Sequence, residues 1–332
     1  LPDIFFTWSG GFSESFVSSG KVMCLDDYYK NYEKEISKTA LANDIYDGKL
    51  YGSVTCTPVS VMWYNKEMFK KQGVEVPATW DDFKAVCKKF IDAGIMGTIV
   101  KDTWVLAMLH DGLALKSAGA DKVTKALTKQ GQSYNDPDFV KAANCIKELV
   151  DMGAFIDGAT GLSNDEASAS FYAEQVPMYF TGSWMGGSIV TDAEKPDNFA
   201  VAPIPVVNSK NASVTDFMGG GSDTLMVSAN TKNKDLAAAA AFEITRGVSK
   251  HAYLSGAGIP AWTVDYDASS VPALTQQVAD IAGKATSYTL WFDTLMSSDD
   301  AGEYLTLLQS LFAGDLKPEE FAASMDKQLS KK

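Results

Sequence analysis

Short β-favouring runs separated by stretches of helical periodicity constrain this chain more than any other feature. "DIFFTW" at 3–8, Val59 to Tyr64, "QVPMYFTG" at 175–182, "NFAVAPIPV" at 198–206 and "DTLMVSA" at 223–229 read as strands. Between and after them lie amphipathic stretches: Phe12 to Ser19, one opening at Thr79, Asp138 to Met152, Lys234 to Thr245, Glu303 to Leu311 and Lys317 to Leu329. Thr79 is a good N-cap, with Asp81 and Asp82 in the first turn, and Pro318 sits near the start of the last helix. Such alternation predicts an α/β fold with a mostly parallel sheet. At 332 residues the chain exceeds one ordinary core, so two lobes are expected, each with its own sheet. No repeat or low-complexity linker joins them, which predicts extended crossings, with Val59 to Tyr64 and "FMGGGSDTL" at 217–225 as the candidates.

Charge removes several functions. The formal net charge is -13, and Arg246 is the single Arg among 29 basic residues, so nucleic acid is not an expected partner. Most lysines stand beside Asp or Glu on solvated faces. The start, "LPDIFFTWSGG", lacks the charged and apolar regions of a signal peptide, and no apolar run reaches the roughly twenty residues of a membrane span. Cys24, Cys56, Cys87 and Cys145 are widely spaced without a nearby His, which favours free, mostly buried thiols and no metal site.

Catalytic signatures are scarce. His110 lies in the apolar stretch "LAMLHDGLAL" and His251 in "SKHAYLSG", and a lone His in such a setting reads as a core or surface residue rather than a catalyst. No GxSxG elbow is present, and "GGGS" at 219–222 lacks the spacing of a phosphate loop. Aromatic residues show the opposite. Trp8, Trp104, Trp184 and Trp291, four of seven Trp residues, stand where strands or loops end, beside Gly, Ser, Thr or Asp. Trp63 and Trp80 read as core or cap residues, and Trp262 is indeterminate.

Flat apolar planes rimmed by short polar groups suit a carbohydrate, whose C–H faces stack on indole while its hydroxyls bond at the edge. Ser9 follows Trp8 at that edge. Asp102 and Asp293 can accept from vicinal hydroxyls, and Gly182, Gly219, Gly220 and Gly221 can let backbone N–H groups approach a ligand. The turn "TGSW" at 181–184 is then read as a strand end that brings the Trp184 indole and the first amides of the next helix to the site.

Five motifs in order carry a resemblance. "PDIFFTW" with "GKVMCLDDYYK" comes first, then "YDGKLYGSVTCTPVSVMWYNKEMFKKQGVEVPATWDDF" and "ASASFYAEQVPMYFTGSW". "GGGSDTLMVSANTKNKDLAAAAAFEIT" and "LFAGDLKPEEFAASMDKQL" complete the set. Together they resemble the extracellular solute-binding proteins of ABC importers, of the carbohydrate-binding, maltose-binding-protein-like type. The resemblance implies a type II periplasmic-binding-protein fold, two α/β lobes with a ligand cleft between them. It implies lobe 1 at 1–60 with 223–285, lobe 2 at 61–222 with 286–332, and hinges near 58–64, 217–223 and 284–290.

The resemblance further implies stacking roles for Trp8, Trp184 and Trp291, a cleft-lining hinge at Gly219 to Gly221, and weaker transfers to Trp104 and Asp293. It implies a sugar, an oligosaccharide, delivered to membrane permease subunits by a monomer that closes around it, needs no cofactor and is not an enzyme. The location implied is extracellular, lipid-anchored at the cell surface, or periplasmic. Family members usually begin with a further strand, helix and strand, so the first lobe is expected to lack these and the site to be incomplete. Two alternatives remain: a carbohydrate-active enzyme using Asp102 and Asp293, and a carrier of another solute such as a polyamine.

Overall fold

The computed structural model describes residues 1–98, 103–155 and 158–331. Strand β1, Ile4–Trp8, leads through Ser9 and Gly10 into helix α1, Gly11–Ser18. β2, Gly52–Val54, and β3, Ser60–Asn65, flank Pro58. α2, Trp80–Asp92, is capped as expected: the Thr79 hydroxyl accepts the Asp82 N–H at 3.2 Å. α3, Thr103–Ala118, and α4, Pro137–Asp151, follow. β4, Met178–Gly182, turns into α5, Met185–Asp192. After β5, Phe199–Ala202, β6, Asp216–Met218, and β7, Asp223–Val227, the long α6 runs over Lys234–Ser255. α7, Ala273–Ala282, β8, Ser287–Thr289, α8, Phe292–Leu295, α9, Ser298–Ala313, and α10, Pro318–Leu329, follow, with shorter elements between those named.

Two separate apolar cores form. The smaller gathers Leu25, Val54, Val227, Phe242 and Trp262 under a sheet of order β1-β7-β2, with Tyr32 stacked on Phe242 at 4.6 Å. The larger surrounds a sheet of order β4-β3-β5 and includes Trp63, Phe180, Phe199 and the faces of α2, α3, α4, α9 and α10. Helix α3 is apolar nearly all round, which is why it lies inside this core rather than on its surface.

The expectation of mostly parallel sheets is corrected. β1 and β2 both pair antiparallel with β7, and β4 and β5 both pair antiparallel with β3. Only β8 with β6 is parallel among the described strands. The central strand of each small sheet is entered from the opposite core, β3 from the smaller and β7 from the larger, so neither is laid down by a βαβ crossover that would set it parallel.

The chain passes between the cores at Cys56 to Pro58 and again at Gly219 to Ser222, and the two passages lie side by side: the Gly220 N–H donates to the Pro58 carbonyl at 2.9 Å. Gly219 adopts φ +133°, and a side chain there would meet the Pro58 carbonyl, so only glycine fits. Helix α7 departs from the lobe boundaries expected above. Leu274, Val278 and Ala282 pack into the larger core against β5 and α5, and β8 beside it pairs with β6. We therefore place the third passage between Trp262 and Ala273 rather than near 284–290. No described helix is long and apolar enough to cross a membrane.

Candidate functional site: an aromatic cleft between the two cores

A cleft of about 540 Å³ opens where the ends of β1 and β7 of the smaller core face α3, the turn between β4 and α5, and α8 of the larger. Trp8, Phe12 and Asp223 line one wall, Trp104, Trp184 and Trp291 the other, and Pro58 and Ser222 sit where the chain crosses. Trp8 and Asp223 are cross-strand partners at the cleft end of the sheet. Trp8 also leans on Phe12, ring centroids 5.3 Å apart. Opposite, Trp184 stands between Trp104 at 6.5 Å and Trp291 at 6.2 Å, so three indoles form a row.

Local structure sets each ring. Trp291 is the most buried of the row, and its indole N–H donates to the Ser60 hydroxyl at 2.7 Å, which ties the loop before α8 to the start of β3. Trp184 precedes the first turn of α5, and its ring folds back over Gly182, where a methyl group would lie 2.1 Å from the indole. Trp104, Ala107, Met108 and Asp111 share one face of α3 at i, i+3, i+4 and i+7. Trp8, Trp104 and Trp184 keep 46%, 38% and 37% of their surface open, enough for a ligand to stack.

Three carboxyl groups reach the same space. Asp223, Asp111 and Asp293 are all pushed above the ordinary carboxylate range, chiefly by burial, Asp111 most strongly and with Asp293 adding to its rise. Asp111 is fully buried. It accepts the Phe292 N–H at 2.9 Å and the Tyr304 hydroxyl at 2.5 Å, so it anchors the turn that carries Trp291 and Asp293. Behind it the Tyr304 hydroxyl meets His110 Nδ1 at 2.9 Å, and burial lowers the His110 pKa to about 3. His110 is thus a neutral core residue, as its apolar neighbours suggest.

The cleft brings together five of the expected site residues: Trp8, Trp104, Trp184, Trp291 and Asp293. Asp102 lies outside the described residues. Ser9 is a correction. It is fully buried, and its hydroxyl donates to Asp44 at 3.0 Å and to the Ser222 carbonyl at 3.2 Å, holding the end of β1 rather than facing a ligand.

Gly219, Gly220 and Gly221 are also corrected. The N–H groups of Gly219 and Gly220 are spent on the Thr289 and Pro58 carbonyls, and Gly221 is flush against the Ala40 carbonyl. These glycines allow two passages to touch, and Gly182 makes room for an indole; the Gly219 and Gly220 amides are already bonded to backbone carbonyls and do not face a ligand. Phe12, Met108, Asp111 and Asp223 were not anticipated, although the helical spacing from Trp104 marks two of them.

Residues 1–242 match the family described as bacterial extracellular solute-binding protein. The chain belongs to this family. A solved structure from work on xylan utilization by the thermophilic bacterium Caldanaerobius polysaccharolyticus superposes on this solute-binding protein with TM-score 0.94. It is 33% identical over 98% of this chain and 85% of that one. A chitin oligosaccharide binding protein superposes with TM-score 0.90 over 99% of this chain and 83% of its own, at 24% identity.

Among curated relatives, an uncharacterized ABC transporter extracellular-binding protein of Pyrococcus horikoshii is 27% identical over 267 residues, 78% of this chain and 59% of its own length. The chain spans about half the length of the curated relatives it matches. Its fold is the type II periplasmic-binding-protein fold shared with these structures.

Proposed function

We propose that this solute-binding protein captures an oligosaccharide in the interlobe cleft and hands it to the permease of an ABC transporter, working as a monomer. The observation that carries the reading is the cleft itself. Aromatic planes face it from both walls, with ionisable oxygens between them and no basic side chain among the described lining residues. Indole faces bury the apolar side of a pyranose at small entropic cost, and carboxylates accept its hydroxyls through charge-assisted bonds. The likeness to proteins studied with xylan and with chitin oligosaccharides supports a sugar, and the Pyrococcus relative supports transport. Because the ligand touches both walls, it binds the closed arrangement better and shifts the population toward it.

Carbohydrate cleavage is the weaker reading. Asp111 has one oxygen on the Phe292 amide and the other on the Tyr304 hydroxyl, so among the described residues of that wall Asp293 has no second free carboxylate beside it; Asp102 lies outside them. A cationic amine would meet both the carboxyl groups and, through cation–π contact, the indole faces, so it is set against the sugars in the same experiment. Calorimetry against xylo-, cello-, manno-, malto- and chito-oligosaccharides and spermidine tests the proposal. Saturable binding of a sugar without product on prolonged incubation is expected. Turnover, or tight binding of spermidine alone, would overturn it.

A further inference from the structure

We propose that the cleft selects its sugar by charge, admitting uncharged oligosaccharides and turning away chains that carry uronate groups, with Asp223 and Asp293 as the selecting residues. This rests on the sugar reading above. The two carboxylates stand on opposite walls, Asp223 at the start of β7 and Asp293 in the first turn of α8, so a ligand spanning the cleft passes both. Several acids elsewhere are paired with lysine: Asp92 with Lys88, Asp136 and Asp138 with Lys122, Asp151 with Lys147. Neither Asp223 nor Asp293 has such a partner among the described residues. Lys, Arg and His are missing from the described lining. Arg246, the single guanidinium, is engaged with Glu35 and Glu243 on α6.

The consequence is asymmetric. A hydroxyl of a neutral sugar donates to either carboxylate and gains a charge-assisted bond. A uronate entering the same space must shed its water, finds no cation among the described lining residues, and faces like charge from two sides in a poorly screened setting. Like-charge juxtaposition of this kind is expected to weaken binding on the order of a hundredfold.

The test is calorimetry on the chain at pH 7.5, in three steps. A panel of neutral trisaccharides identifies the tightest binder. That sugar is then compared with its counterpart bearing one uronate, and with the methyl ester of that counterpart, which keeps the shape and removes the charge. The neutral sugar and the ester should bind within roughly fivefold of each other, and the free uronate roughly a hundredfold more weakly. Asp223→Asn and Asp293→Asn should each bring uronate and ester to within roughly tenfold. A uronate that binds as well as its ester overturns the proposal. An ester as weak as the uronate overturns it too, because shape would then be the cause. If no neutral sugar of the panel binds, the sugar reading itself falls and this inference with it.

Discussion

Gly182 shows how one backbone position can decide a binding surface. With no Cβ it lets the Trp184 indole lie flat against the end of β4, between Trp104 and Trp291. Gly182→Ala should displace the ring and weaken sugar binding nearly as much as Trp184→Ala, for which about 2 kcal/mol, roughly thirtyfold in Kd, is expected. Calorimetry of both variants checks this, and a normal Kd for Gly182→Ala would remove the indole from the site. The tryptophans were legible because a large apolar ring beside Gly, Ser and Thr at a strand end has little to do in a core. Ser9 and the glycine run were not. Composition cannot tell whether an amide or hydroxyl faces a ligand or a neighbouring stretch of backbone, and here the partners, Ser222, Pro58 and Ala40, are all distant in sequence from one of the groups they meet.

Helix α3 joins the site to the core. Its cleft face is anchored by Asp111, which holds α8 in place by accepting from the Phe292 amide and the Tyr304 hydroxyl. Asp111→Ala leaves both donors unpaired in the interior, at about 1–3 kcal/mol each. Urea unfolding should show a loss of roughly 3 kcal/mol, with sugar affinity falling as well because Trp291 and Asp293 lose their support. Unchanged stability would mean that water replaces the carboxylate. Elements of this kind were the readable part of the fold: helix starts at Thr79 and Pro318 and the strands at 60–65 and 178–182 fall where hydrophobic period and capping place them. The sense of strand pairing was not readable, since alternation of strand and helix is the same whether a strand is reached by a local crossover or from the other core.

At the scale of the whole molecule, buried ionisable groups set a pH dependence. Asp44 is fully buried behind Ser9, and burial pushes its pKa up to about 7, above the unfolded value of about 3.9. The folded form therefore keeps a proton that the unfolded form has released. Its stabilising effect is complete below about pH 4 and is lost as pH rises to about 7. His110 acts in the other direction: with a folded value of about 3 against about 6.5 unfolded, its contribution is present above pH 6.5 and is lost on acidification. Asp44→Asn should raise Tm at pH 8, with the advantage shrinking as pH falls through 7. Thermal scans across that range check it, and an advantage independent of pH would rule out titration of Asp44.

Closure of the two halves around a sugar predicts a smaller radius of gyration in solution scattering on saturation with the ligand found by calorimetry. Identical curves with and without it would count against closure.

The two walls of the cleft are mounted differently. Trp104, Trp184 and Trp291 stand on a helix sunk in the larger core and on turns bonded to its central sheet, whereas Trp8 projects from the tip of a three-stranded sheet over a much smaller interior and Phe12 from the helix that follows it. One side is therefore the mould and the other the adjustable jaw. Redesign toward a different sugar should meet the least resistance at positions 8 and 12, where a new ring can be fitted without rebuilding what lies beneath it.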